Sequence, residues 1–83
     1  MRQVIEALKE TTGANVNIYT EHVLFGKQHI KIKFQPETEI GLGFYCKDQI
    51  IYIDHNDVVG YDITNNKIVI NGKMMHIIII KEN

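Results

Sequence analysis

Residues 64–80, TNNKIVINGKMMHIIII, decide the fold, because they hold two turn signals and a strand that does not alternate. Asn65-Asn66 and Asn71-Gly72 both suit two-residue type I′ hairpin loops, whose central residues take positive φ. With both loops in place, Thr64 opposes Lys67 and Ile70 opposes Lys73. Counting outward pairs Ile63 with Ile68, Tyr61 with Ile70, Ile68 with Met75 and Val69 with Met74. Side chains alternate across a strand, so one face gathers Val59, Tyr61, Ile63, Ile68, Ile70, Met75, Ile77 and Ile79. The opposite face gathers Asp62, Thr64, Lys67, Val69, Met74 and His76. Two independent turns thus yield one core face and one mostly wet face.

In this register the middle strand stops opposite His76, and Ile77 to Ile80 run on past it. Those isoleucines must pair with a further strand along their other edge. Ile78 and Ile80, with Val58 and Gly60, need cover on the second face, since burying each isoleucine is worth roughly 1.5–3 kcal/mol. The expected lid is an N-terminal helix; the alternative is the same strand of a second subunit.

The helix is read from RQVIEALKE, where Val4, Ile5, Ala7 and Leu8 form an apolar stripe against Gln3, Glu6, Lys9 and Glu10. Thr11 and Thr12 weaken it, and Gly13 is a natural left-handed terminator. At about three turns it must dock on something to persist in water. Strands follow. NVNIYTE turns Val16 and Ile18 inward and Asn17 and Tyr19 outward, and HIKIKFQ sets Ile30, Ile32 and Phe34 against His29, Lys31, Lys33 and Gln35. IGLGFYC places Ile40, Leu42, Phe44 and Cys46 on one face, with Gly41, Gly43 and Tyr45 on the other. Pro36 ends the second of these strands, and IIYI follows the turn at 47–49.

The chain has 83 residues, 45% hydrophobic and 23% charged, with a net charge of −1. That is one small foldable domain, residues 1–83, whose core is modest enough to gain from a partner. The balance excludes intrinsic disorder and any global attraction to nucleic acid or anionic lipid. The isoleucine run is too short to span a bilayer, and Glu6 and Glu10 exclude a secretion signal at the start. Cys46 is the only cysteine, which excludes an internal disulfide and fits a reducing cytoplasm. Abundant Ile, Lys and Asn, with Ala only at positions 7 and 14, follow AT-rich codons and suggest a low-GC bacterium or one of its phages.

No catalytic signature emerges. The chain contains no serine, and GLG lies within a strand with no helix after it, unlike a phosphate loop. Asp54, His55 and Asp57 could form a metal or acid–base site, but the reading preferred is a four-residue hairpin loop, in which Asp and Asn bond their own backbone. Neither a metal nor a cofactor is expected. Lys27, His29, Lys31 and Lys33 share one face of one strand. They are read either as a surface for phosphates or an acidic partner or as protection of an exposed edge. Tyr19, Tyr45 and Tyr52 would form a recognition surface if they shared a face.

VNIY early in a helix-plus-strands chain resembles the rhythm of Sm-like RNA-binding barrels, and IIYIDHNDVVGYDITNNKIVING is similar to that of bacterial pleckstrin-homology-like sheets. The hairpin after Ile63 departs from the first and the C-terminal strand from the second, so neither transfers a site residue. The expected fold is α+β: an N-terminal helix on a twisted, mostly antiparallel sheet of about six or seven short strands, with closure into a small barrel as a variant. The expected function is non-catalytic binding of another protein, as a small inhibitor or accessory factor. Binding is assigned to Lys27, His29, Lys31, Lys33, Tyr19 and Tyr45. Oligomer or helix docking is assigned to Ile78, Ile80, Val58 and Leu8. The alternative function is nucleic-acid binding by the lysine stripe; no membrane partner is expected.

Overall fold

The computed structural model describes residues 2–37, 42–46 and 49–82, with the side chains at 37, 44–46, 49 and 50 left out. Along the chain run α1 (Arg2–Thr11), β1 (Asn15–His22), β2 (Gly26–Lys33), β3 (Pro36–Glu37), β4 (Leu42–Cys46) and β5 (Gln49–Ile53). A 3-10 turn (His55–Asp57) then leads to β6 (Val58–Ile63), β7 (Lys67–Gly72) and β8 (Met75–Lys81). The strands form two antiparallel sheets, ordered β2-β1-β8-β7-β6 and β3-β4-β5. This is the expected α+β architecture. The larger sheet ends at β2 and at β6, so the described strands form an open sheet over a smaller one. Pro36 does stop β2, yet it also opens β3, opposite Phe44.

Alternation sets the inner face. Val16 and Ile18 of β1, Ile68 and Ile70 of β7, and Ile77 and Ile79 of β8 are buried in one cluster with Phe34, Leu42, Ile51 and Ile53. Of the face expected from IGLGFYC, Leu42 is buried; Ile40 and Gly41, and the side chains of Phe44, Tyr45 and Cys46, lie outside the described residues.

The first asparagine turn sets the expected register: Ile63 pairs with Ile68 and Tyr61 with Ile70, and the Thr64 amide donates to the Lys67 carbonyl at 2.8 Å. The second does not. Ile68 pairs with Ile79, Ile70 with Ile77 and Asn71 with His76, which moves the turn from Asn71-Gly72 to Lys73-Met74. Each residue of β7 thus faces a residue four places further along than the Asn-Gly turn implies. An even shift keeps every side chain on its face, so the core face was legible although its partners were not. Two causes are visible. The new register gives Ile77 to Ile80 partners on β7, satisfying backbone groups that would otherwise be orphaned. Gly72 is also needed elsewhere, because a Cβ there would collide with Ile53 Cδ1 and the Met75 carbonyl. The new turn is held from outside, with Lys73 N–H on the Asp57 carbonyl at 2.9 Å and the Met74 carbonyl accepting from Val23 N–H at 3.0 Å.

A second correction concerns β6. A bulge between Val58 and Gly60 changes the parity of the strand. Val58 therefore packs against the core and Val59 is 66% exposed, the reverse of the simple alternation.

Helix α1 lies on the inner face, not over Ile78 and Ile80. Val4 and Leu8 are buried in the cluster that holds Ile77 and Ile79, and Tyr61 Oη donates to Gln3 Oε1 at 2.8 Å. Gly13 ends the helix region at φ 87° and its N–H reaches the Phe34 carbonyl at 2.9 Å. The partner along the other edge of β8 is β1 of the same chain, with Tyr19 opposite Ile78 and Asn17 opposite Ile80. Ile78 and Ile80 are half-buried. Side chains on a central strand are screened laterally by both neighbours, and this supplies the part of their cover that the chain itself provides.

Candidate binding surface

Register brings the outward residues into three rows across the sheet. Lys31, Asn17, Ile80 and Lys67 form one; His29, Tyr19, Ile78 and Val69 the next; Lys27, Glu21, His76 and Asn71 the third. The sequence separates Tyr19 from the lysine stripe, but the hairpin sets it against His29. Their rings stack in parallel, with centroids 4.3 Å apart and planes 4° from coplanar. His29 Nε2 lies 2.9 Å from Asn17 Oδ1, while Asn17 Nδ2 donates to Glu82 Oε1 at 3.1 Å. Because the Asn17 amide nitrogen is committed to a carboxylate, its oxygen accepts, and His29 Nε2 is the donor.

Lys31 Nζ meets the same Glu82 oxygen at 2.8 Å. This hydrogen bond is the main cause holding the Glu82 carboxyl below its ordinary value, and Asn17 adds to it. The same bond, with the charge of Glu82, raises Lys31. Lys27 lies 3.9 Å from Glu21, both well exposed, a pair of little energetic weight. Two of the three stripe lysines therefore already have a carboxylate partner. Lys33 has no ion pair among the described residues.

The β1–β2 hairpin carries a feature the strand-by-strand sequence reading passed over. Val23-Leu24-Phe25 form its three-residue loop, closed by Gly26 at φ 78°, the left-handed position such loops place after a turn. These three side chains are 70%, 71% and 76% exposed, and Met74 of the adjoining turn is 48% exposed. His22 shapes the tip: its Nδ1 accepts the Leu24 N–H at 3.0 Å, and its ring meets Phe25 at 4.7 Å. The signal was present as three apolar residues between two alternating strands and before a glycine, HVLFG.

The other sequence candidates do not join this surface. Asp54 caps the 3-10 turn, accepting from Asn56 N–H at 2.8 Å, and the Asp57 N–H reaches the Asp54 carbonyl at 2.9 Å. These residues bond their own backbone as expected, but they are not a hairpin loop, because β5 and β6 belong to different sheets and the turn carries the chain from one to the other. Among the described residues no three His, Cys, Asp or Glu side chains group to hold a metal ion. Tyr52 is exposed on β5 of the smaller sheet, so it does not share the face of Tyr19. The Tyr45 side chain lies outside the described residues. Leu8 and Val58 belong to the core, and only Ile78 and Ile80 of the expected docking set face outward.

The chain matches no family model, no curated protein and no solved structure. Its functional reading therefore rests on this geometry.

Proposed function

We propose that the chain is a non-catalytic module that binds another protein through the hairpin tip and the adjoining outer face of the larger sheet. The observation that carries this is the tip itself. Three consecutive apolar side chains, each 70% exposed or more and flanked by Met74, make the kind of patch that marks interaction sites. Aromatic and methionine side chains are the usual anchors of such interfaces. The small size suits an inhibitor or accessory factor of a low-GC bacterium or its phage, an anti-defence inhibitor being one instance, acting in the cytoplasm. No helix among the described residues is long and apolar enough to cross a membrane. A homodimer through the C-terminal strand would use its Ile78 and Ile80 face, since both edges of β8 are paired within the chain. The test is affinity capture with wild type beside a Leu24→Ser/Phe25→Ser variant. A partner retained by the wild type should be lost by the variant; a partner retained equally by both would remove the tip from the interface.

One observation favours nucleic acid as the second reading: Tyr19 sits on the same face as Lys27, Lys31 and Lys33, where an aromatic could stack a base. Under that reading wild type binds single-stranded oligonucleotides at low salt, and Lys31→Gln/Lys33→Gln lowers the slope of log affinity on log salt by about one unit per lost contact. No binding at low salt removes it.

A further inference from the structure

The two edges of the larger sheet differ. β6 is interrupted by its bulge, whereas β2 pairs with β1 through eight consecutive positions, Gly26 to Lys33, with no shift. β2 contains no proline, and among the described residues no strand pairs with its other side. Its outward side chains include Lys27, His29, Lys31 and Lys33, and its inward Ile30 and Ile32 are only half-buried although they pack on the core. An unpaired regular edge is a template for another strand.

We infer that β2 takes up an extended segment of the partner protein as a sixth strand, one with carboxylates at alternate positions and apolar residues between them. The carboxylates would lie beside Lys27, Lys31 and Lys33 on the outer face, and the apolar residues would complete the cover of Ile30 and Ile32. Opposite charges across neighbouring strands favour pairing, and like charges oppose it. A second copy is the wrong occupant for that reason: antiparallel self-pairing about Ile30 sets Lys33 against Lys27 and Lys31 against His29. The partial pairing of Lys27 and Lys31 with Glu21 and Glu82 does not close the edge, since those carboxylates approach from β1 and from beyond β8. This inference rests on the protein-binding reading and names the partner's chemistry.

The experiment titrates the full chain with a capped peptide of alternating glutamate and valine, a permuted peptide of the same composition, and a lysine-for-glutamate version. Binding is followed by amide NMR and hydrogen exchange. The alternating acidic peptide should bind, and every second amide of β2 should gain protection. Lys31→Glu/Lys33→Glu should weaken it about tenfold and bind the lysine peptide in its place. No binding at millimolar peptide, equal binding of the permuted peptide, or binding without protection in β2 would overturn the inference. So would tighter binding of a single-stranded oligonucleotide than of the peptide at equal salt. If the edge fails while the tip variant still loses its captured partner, the protein-binding reading stands and only the edge assignment falls.

Discussion

The two faces of the five-stranded sheet share their strands and differ in almost everything else. The inner face is a continuous layer of Val16, Ile18, Ile68, Ile70, Ile77 and Ile79, closed by Val4 and Leu8 of the helix and by Leu42, Ile51 and Ile53 of the smaller sheet. The outer face carries Ile78, Ile80 and Val69 among Lys31, His29, Tyr19, Asn17 and Lys67, ordered by a chain of hydrogen bonds ending at Glu82. Adjacent isoleucines on β8 therefore do different things. Ile77 and Ile79 stabilise the chain, while Ile78 and Ile80 supply a half-covered apolar strip on a face made of groups that remain available for contact. A run of four isoleucines reads as core in sequence, yet alternation assigns half of it to a surface.

The sharpest way to break this comparison is to truncate neighbours. Ile77→Ala should cost about 2–5 kcal/mol through lost burial and a residual cavity, measured by urea denaturation. Gly72→Ala comes next, at about 1–3 kcal/mol, because its methyl must displace Ile53 or the Met75 backbone; a neutral result would mean that Gly72 is not what draws the turn to Lys73-Met74. Ile78→Ala should cost roughly 1 kcal/mol or less, since a half-exposed side chain loses less apolar burial. Equal losses at 77 and 78 would show that the outer face is covered in solution, and sedimentation across a range of concentrations would then reveal the second copy. Leu24→Ser/Phe25→Ser should leave the unfolding midpoint within about 0.5 kcal/mol of wild type while abolishing partner capture.

The smallest effect lies in the outer network. The Glu82 carboxyl is depressed on folding, so its contribution is present above the ordinary glutamate range and is lost as pH falls through the depressed value. Lys31 is raised, so its contribution is present below the ordinary lysine range and is lost as pH climbs through the raised value. The urea midpoints of wild type and Glu82→Gln should therefore differ slightly at neutral pH and converge in acid. The difference should also shrink with salt, as expected for an exposed pair. A constant difference down the acid limb would mean that the ion pair contributes nothing and that Asn17 and His29 order the face alone.

What the sequence by itself determined was parity. Period-two alternation in NVNIYTE, HIKIKFQ and KIVI assigned Val16, Ile18, Ile30, Ile32, Ile68 and Ile70 to one side without any knowledge of partners, because the pleat makes side-chain direction a local property. The Asn65-Asn66 turn and the stop at Gly13 were legible for the same reason, being set by a few consecutive backbone angles. Parity failed at Val58 and Val59, where a bulge beside Gly60 inserts one residue; a glycine inside a strand is a signal for a bulge but does not fix which residue is the extra one. Which residues face one another was decided only in three dimensions. The Asn71-Gly72 turn lost to a register that gives all four isoleucines a backbone partner and leaves Gly72 free to pack under Ile53. The helix took the inner face because the buried cluster needed closing there, and Tyr19 met His29 only when the hairpin closed. Long-range pairing is a competition among registers for the same backbone groups and the same core volume, and no short window of sequence contains both competitors.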